Sequence, residues 1–98
     1  MRLSEIVDTL DAKVLAGVDK LNTEINTCGA SDLMSDILAG LSDGCILLTG
    51  LTTVQVIRTA MVAGVGAVVI VRGKQPPTEV INLAEAEGLP LLSSPYFM

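Results

Sequence analysis

The chain has no histidine and no tryptophan, and its only aromatic residues are Tyr96 and Phe97 at the very end. Without histidine, this chain cannot supply the base of a Ser-His-Asp triad or the ligands of a histidine-rich metal site. Because half of the 98 residues are hydrophobic and almost none of them are aromatic, the core has to be aliphatic. This much apolar surface excludes disorder and predicts a single domain over residues 1–98.

Other signatures of catalysis are missing as well. The two cysteines, Cys28 and Cys45, form neither a CxxC motif nor a ligand cluster, and there is no Walker A loop and no GxGxxG fingerprint. Asp32 and Asp36 have the spacing of one helix face, which is more typical of a solvated acidic face than of a cation site. We therefore predict no catalytic residue, no metal and no cofactor, and expect the chain not to be an enzyme.

Charge is scarce and unevenly placed. The net charge is −5, and all the acidic residues lie in two flanks, 5–43 and 79–87. The stretch 44–78 has no acid and carries Arg58, Arg72 and Lys74. The acidic balance argues against nucleic acid as a partner, but this cationic middle predicts either buried strands that exclude all charge or a small anion site.

No secretory or membrane-spanning signal is present, so we expect no membrane association and a cytoplasmic location with reduced thiols. Cys45 opens an apolar run and is predicted to be a core residue. Cys28 lies beside a glycine in a predicted turn, where it would be more exposed. Whether Cys28 is redox-active stays open.

Hydrophobic periodicity predicts strands that alternate with helices. Extended segments are predicted at residues 13–16, 24–27, 45–49, 67–71 and 89–92. A first helix capped by Ser4 runs to about Leu10. Three more helices are predicted to begin at Ser31-Asp32, at Thr52 or Thr53, and at Pro76-Pro77-Thr78, and the last two end at Gly64 and Gly88. Pro90 indicates that the last strand is an edge strand or that the strand begins there.

The runs 45–49 and 67–71 are hydrophobic at nearly every position, which is typical of strands buried on both faces of a parallel sheet. Strands joined by helices at this spacing form right-handed βαβ crossovers. The sequence therefore predicts a single three-layer α/β domain with a mainly parallel sheet.

Ligands of such sheets gather at the carboxyl ends of the strands. The loops predicted to lie there are 27–31, 49–53 and 72–75. They offer helix N-termini, hydroxyl groups, glycines and two cations, a set that suits a phosphate. The candidate ligand-binding residues are Ser31, Thr49, Gly50, Thr52, Thr53, Arg72, Gly73 and Lys74. The alternative is that the threonines only cap helices and the glycines only form turns.

The segments KVLAG, ASDLMSDILA and ILLTGLTTVQVIRTAMVAGVGAVVIVRGKQPPTEVINLAEAEGLPLLSSP resemble the DRTGG domain family. They are most similar to its stand-alone members near iron-hydrogenase and redox-complex subunits of anaerobic bacteria. The stretch VIVRGKQPPTEVINLAEAEGLPLLSSP also resembles the N-terminal domain of HPr kinase/phosphorylase. The family's Thr-Gly-Gly segment reads Arg72-Gly73-Lys74 here, so only Gly73 carries over. Family members usually continue into a further helix after SSP, so the resemblance also implies truncation before a C-terminal helix.

The resemblance implies a regulatory or protein-interaction domain that acts as a homodimer, associated with a redox or hydrogenase complex. In larger family members such domains accompany nucleotide-sensing CBS domains, for example in certain pyrophosphatases. The large aliphatic content of so short a chain also favours a shared subunit interface. The alternative function is a sensor that binds a nucleotide or another phosphorylated anion at the strand-end loops.

Overall fold

The computed structural model describes residues 2–25, 28–30, 44–72 and 75–95, which form three α-helices and five β-strands. The helices are α1 (Leu3–Thr9), α2 (Val54–Ala63) and α3 (Thr78–Glu87). The strands are β1 (Lys13–Ala16), β2 (Cys28–Ala30), β3 (Ile46–Thr49), β4 (Ala67–Ile70) and β5 (Leu91–Ser93). A short 3-10 helix, Val18–Lys20, follows β1.

The strands form one sheet in the order β1-β5-β4-β3-β2. Every pairing is parallel except that of β1 with β5. Thr49 is the register partner of Ile70, and Ile70 is the register partner of Ser93. The last residues of β3, β4 and β5 therefore lie side by side along one edge of the sheet, which we call the carboxyl edge. The predicted mainly parallel sheet is confirmed.

Helices cover both faces of this sheet. On one face, Leu47 and Val68 pack in a cluster with Ile57 of α2 and Val80 of α3. On the other face, strand residues such as Val69 pack with Leu3 and Ile6 of α1. The alternation of strand side chains between two aliphatic clusters explains why the buried runs are hydrophobic at every position. The predicted three-layer arrangement is confirmed.

The first helix begins earlier than its sequence suggested. Arg2, not Ser4, is the N-cap, and Ser4 lies inside α1. The Arg2 backbone N–H donates to Oε1 of Glu5 over 2.9 Å, so the glutamate satisfies a donor that precedes the helix. The sequence predicted Ser4 because hydroxyl residues are preferred at the N-cap. In the structure, the hydrogen bond between the Arg2 N–H and Glu5 accompanies an earlier start of the helix.

The structure tests two other predicted segments only in part or not at all. In the extended segment predicted at 24–27, Glu24 forms a single bridge with Arg2, residues 26 and 27 lie outside the described residues, and a strand is present further along at Cys28–Ala30. Cys28 is therefore a strand residue and not part of a turn. The predicted helix that begins at Ser31-Asp32 lies outside the described residues.

From Pro90, the sequence predicts either that β5 begins there or that β5 is an edge strand. The first prediction is confirmed, because Pro90 directly precedes β5. The prediction of an edge strand is wrong, because β5 lies between β1 and β4. Proline is tolerated here because it directly precedes the first paired residue, Leu91. The helices predicted after Thr53 and after Pro77 are confirmed, with Gly64 and Gly88 as their C-caps.

Gly17 and Gly88 provide a matched pair for testing the packing at the end of the sheet opposite the carboxyl edge, where the chain leaves β1 and enters β5. Both have left-handed backbones, with φ of +77° and +70°. A Cβ on Gly17 would lie 2.7 Å from Cα of Pro90, whereas a Cβ on Gly88 would meet nothing within 4 Å. We expect Gly88→Ala to cost about 1 kcal/mol of unfolding free energy from backbone strain alone. Gly17→Ala should cost about 1–3 kcal/mol more, because two backbone segments must separate.

Chemical denaturation of the two variants beside the wild type measures this difference. Equal losses of stability would contradict the close contact between Gly17 and Pro90.

Candidate functional site

The carboxyl edge is organised around the end of β3. Thr49 is completely buried, and its carbonyl accepts the Val71 N–H over 2.9 Å. Its hydroxyl accepts the Leu51 N–H over 3.2 Å. Thr49 therefore fixes the path of the chain where it leaves β3, because it holds both β4 and the first residues of the following loop. Thr49 is thus a positioning residue for any ligand that the loop after β3 contacts.

Gly50 and Arg72 are brought together at this edge, although they are far apart in sequence. A Cβ on Gly50 would overlap Nη2 of Arg72 and would lie 2.9 Å from its Cζ. The guanidinium therefore lies directly against the Gly50 backbone, in space that any other residue would fill with its side chain. Glycine is needed here because of this close approach. The predicted grouping of these two residues is thus present in the fold.

The backbone of Arg72 is also unusual. Its φ is +66°, a left-handed conformation that costs a residue with a side chain roughly 1–2 kcal/mol. Arg72 follows β4 and is exposed. Strained backbone of this kind is concentrated at functional sites, where it aims a side chain. In this protein it accompanies a guanidinium that lies over the end of the neighbouring strand.

Helix α2 begins beside the same edge. Thr53 occupies its N-cap, but the Thr53 side chain makes no capping hydrogen bond. Thr53 is exposed and Thr52 is half-buried. The first turn of α2 thus adds the positive end of a helix dipole to the charge of Arg72. An anion at this edge would meet two favourable electrostatic contributions.

Three of the predicted site residues, Ser31, Gly73 and Lys74, lie outside the described residues. Of the predicted set, the described structure brings Thr49, Gly50 and Arg72 together at one edge. Thr52 and Thr53 lie at the entrance to α2 beside it. The role of this set in ligand binding remains a prediction.

Sequence reasoning missed further polar groups at this edge. Ser93 ends β5, Ser94 follows it, and both are buried; the hydroxyl of Ser94 donates to the carbonyl of Leu10 over 2.9 Å. Lys13 is the register partner of Ser93 and is exposed. The carboxyl-end rule, applied to the last strand as well, would have found the serines. Lys13 could not be found in this way, because it depends on the antiparallel direction of β1.

Two classes of site are not seen in the part of the chain that the structure describes. No group of three or more cysteine, aspartate or glutamate side chains there is placed to hold a metal ion. None of the helices formed by those residues has the length and apolar character needed to cross a membrane.

A model of one protein family covers nearly the whole chain. The DRTGG domain model matches residues 5–96. The fold is similar to that of the CBS and DRTGG domains of the regulatory region of Clostridium perfringens pyrophosphatase, solved with the activator diadenosine tetraphosphate. That similarity has a TM-score of 0.78 at 18% identity and covers 98% of this chain but only 42% of the other. No curated protein sequence matches significantly. Since the family model spans nearly the whole sequence, this chain belongs to the DRTGG domain family.

Proposed function

We propose that this chain is a non-enzymatic regulatory domain that acts as a homodimer and binds a nucleotide or another phosphorylated small molecule at the carboxyl edge. The observation that carries the ligand site is the contact of the Arg72 guanidinium with the Gly50 backbone. A cation is held there by a strained backbone, beside a helix N-terminus and over a residue with no side chain. This combination suits a phosphate, which takes charge-assisted hydrogen bonds from arginine and from backbone N–H groups.

Charge around the edge supports an anionic ligand. The sequence from Gly44 to Thr78, which includes β3, α2 and β4, contains no acidic residue. The acidic residues elsewhere give the chain its net charge of −5, so Arg72 lies in an acid-free, cation-bearing stretch of an otherwise acidic sequence. Such local fields attract small anions even where the net charge is negative.

The neighbouring structure supports the choice of nucleotide as the first ligand class. The regulatory region of that pyrophosphatase is complexed with diadenosine tetraphosphate, which is described as its activator. A nucleotide carries several phosphates in a row, so one phosphate at Arg72 would leave others within reach of the rest of the edge, including Lys13.

A regulatory role without catalysis fits the chemistry of the site. The described part of the carboxyl edge offers hydroxyls, backbone N–H groups and cations, and it has no paired acid and base to transfer a proton. The association with a redox or hydrogenase complex and the cytoplasmic location stay predictions, which co-purification of the native protein from cell extract would test.

A thermal-shift screen with nucleotides and sugar phosphates tests the ligand site. A ligand at a hundredfold excess over its Kd should stabilise the wild type by about 2.7 kcal/mol. Arg72→Gly should remove most of that shift, and because glycine accepts a positive φ, the unliganded variant should remain as stable as the wild type. Lys20→Ala is the matched control, since it also removes one exposed positive charge but lies beyond the opposite edge of the sheet.

Two results would contradict the proposed site. One is the absence of a shift with every phosphorylated compound. The other is a shift that Arg72→Gly and Lys20→Ala reduce equally, which would indicate general charge attraction without a specific site.

A further inference from the structure

The outer face of the α2–α3 layer carries a groove that is separate from the carboxyl edge and has the core residue Ile57 at its floor. It has a volume of about 350 Å³ and is lined by Ile57, Arg58, Met61, Leu83 and Glu87. The two helices pack against each other on the same face of the sheet. Their outward surface is therefore continuous across the groove.

This face is unusually apolar for a surface. Met61 is 41% exposed and Val62 is 78% exposed, and in the described ranges the only other large hydrophobic side chain so exposed is Val18. Met61 lines the groove, and Val62 lies one helical turn after Arg58, another groove residue, so both exposed side chains belong to the outer surface of α2. Neighbouring exposed hydrophobic side chains on a small domain are a common mark of an interaction surface.

The two helices carry opposite charges. Helix α2 has one basic residue, Arg58, and no acid, whereas α3 has acidic residues and no base. On α3, Glu85 already accepts the Gly17 N–H within the chain, which leaves Glu87 as the acid that lines the groove. Arg58 and Glu87 are both exposed, and no ion pair joins them to any described residue. The groove thus has a positive side and a negative side.

We propose that a second copy of this chain docks on this face, with α2 of each copy packed against α3 of the other. This inference rests on the homodimer of the proposed function and adds the surface that forms it. Both helices connect parallel strands, so they run in the same direction, and a two-fold axis along the groove exchanges its two sides. Each Arg58 then faces the partner subunit's Glu87, and Met61 packs near the partner subunit's Leu83.

The size of this face sets the strength of the dimer. Two ten-residue helices side by side present a projected surface of roughly 15 by 20 Å. This is small beside the roughly 800 Å² that each partner usually buries in a stable complex. We therefore expect a reversible dimer with a micromolar Kd, whose population changes with protein concentration.

Sedimentation velocity across a concentration series tests the surface. Arg58→Glu and Glu87→Arg should each weaken self-association about tenfold or more, because a two-fold axis converts both ion pairs into repulsive pairs. Lys20→Glu and Asp8→Arg are the matched controls; they make the same changes in net charge at exposed positions outside this face and should leave the dimer unchanged.

A mixture of the two groove variants gives the sharper result. One variant has an acidic groove and the other a basic one, so each should be monomeric alone and an equimolar mixture should form a heterodimer. An ion pair within one chain cannot produce this recovery, because neither variant contains both charges.

The outcomes separate the surface from the proposed homodimer. A wild type that stays monomeric up to high micromolar concentration overturns both the homodimer and this surface. A wild-type dimer that survives both charge reversals, or that the controls weaken equally, overturns the surface alone. Retention of phosphate-dependent thermal shifts by the monomeric variants would show that the ligand site is independent of this interface.

Discussion

Replacing Gly50 by alanine is expected to abolish most ligand binding while leaving the unliganded domain nearly as stable as the wild type. The new Cβ would occupy the position of the Arg72 guanidinium. Because this group is the end of a long, exposed side chain, it can move away with little loss of stability. The binding site, in contrast, would lose an aligned charge-assisted hydrogen bond, which is worth about 1.5–3 kcal/mol, or roughly a tenfold to hundredfold loss of affinity.

A double-mutant cycle distinguishes this mechanism from a general disturbance of the loop. Gly50→Ala and Arg72→Gly should each weaken binding, and the double variant should bind no more weakly than Arg72→Gly alone, because the displaced group is already missing. Gly44→Ala is the glycine control. Gly44 precedes β3, at the other end of the strand from Gly50, so this variant should leave affinity unchanged. Additive losses in the double variant would show that Gly50 does not act through Arg72.

Leu91→Ala is expected to cause the largest loss of stability among simple core substitutions, about 2–5 kcal/mol. Leu91 is completely buried, and it belongs to a strand that lies between β1 and β4. Its removal leaves a cavity where the sheet meets α2 and α3. For a domain of this size, each kcal/mol corresponds to about 4–8 °C, so the Tm should fall by roughly 10 °C or more.

Leu83→Ala provides the comparison, because Leu83 is only half-buried on α3 and should cost clearly less. Calorimetry of both variants measures the difference. A loss for Leu91→Ala no larger than that for Leu83→Ala would contradict the central position of β5 in the sheet.

Hydrophobic pattern alone was sufficient to predict the central part of the fold. Residues 45–49 and 67–71 are almost continuous apolar runs joined by a segment with helical periodicity, and both signals can be read from the local sequence. The position of β5 was not predictable in the same way. Pro90 suits a strand start and an edge strand equally well, and only the pairing of β1 with β5 decides between them.

Short elements were the hardest to predict, because few residues determine them. The strand Cys28–Gly29–Ala30 contains a glycine and is short, so its sequence resembles a turn. It is a strand because its backbone pairs with β3, a long-range contact that local propensity does not encode. The N-terminal cap at Arg2 likewise depends on a contact with Glu5.

The candidate site was partly predictable for a topological reason. Parallel strands place their carboxyl ends together, and from the sequence alone this rule places Thr49, Gly50 and Arg72 at one edge. The rule does not specify backbone conformation or side-chain direction. The positive φ of Arg72 and the contact of its guanidinium with Gly50 emerged only from the structure.

The most direct test of the proposed site is a ¹H–¹⁵N NMR titration of the wild type with the nucleotide that gives the largest thermal shift. The amide of Gly50 and the side-chain Nε–H of Arg72 should show the largest saturable changes, while the Gly17 amide at the opposite edge of the sheet should not move. Changes that cluster on α2 and α3 instead, with Gly50 and Arg72 unaffected, would contradict a phosphate site at the carboxyl edge.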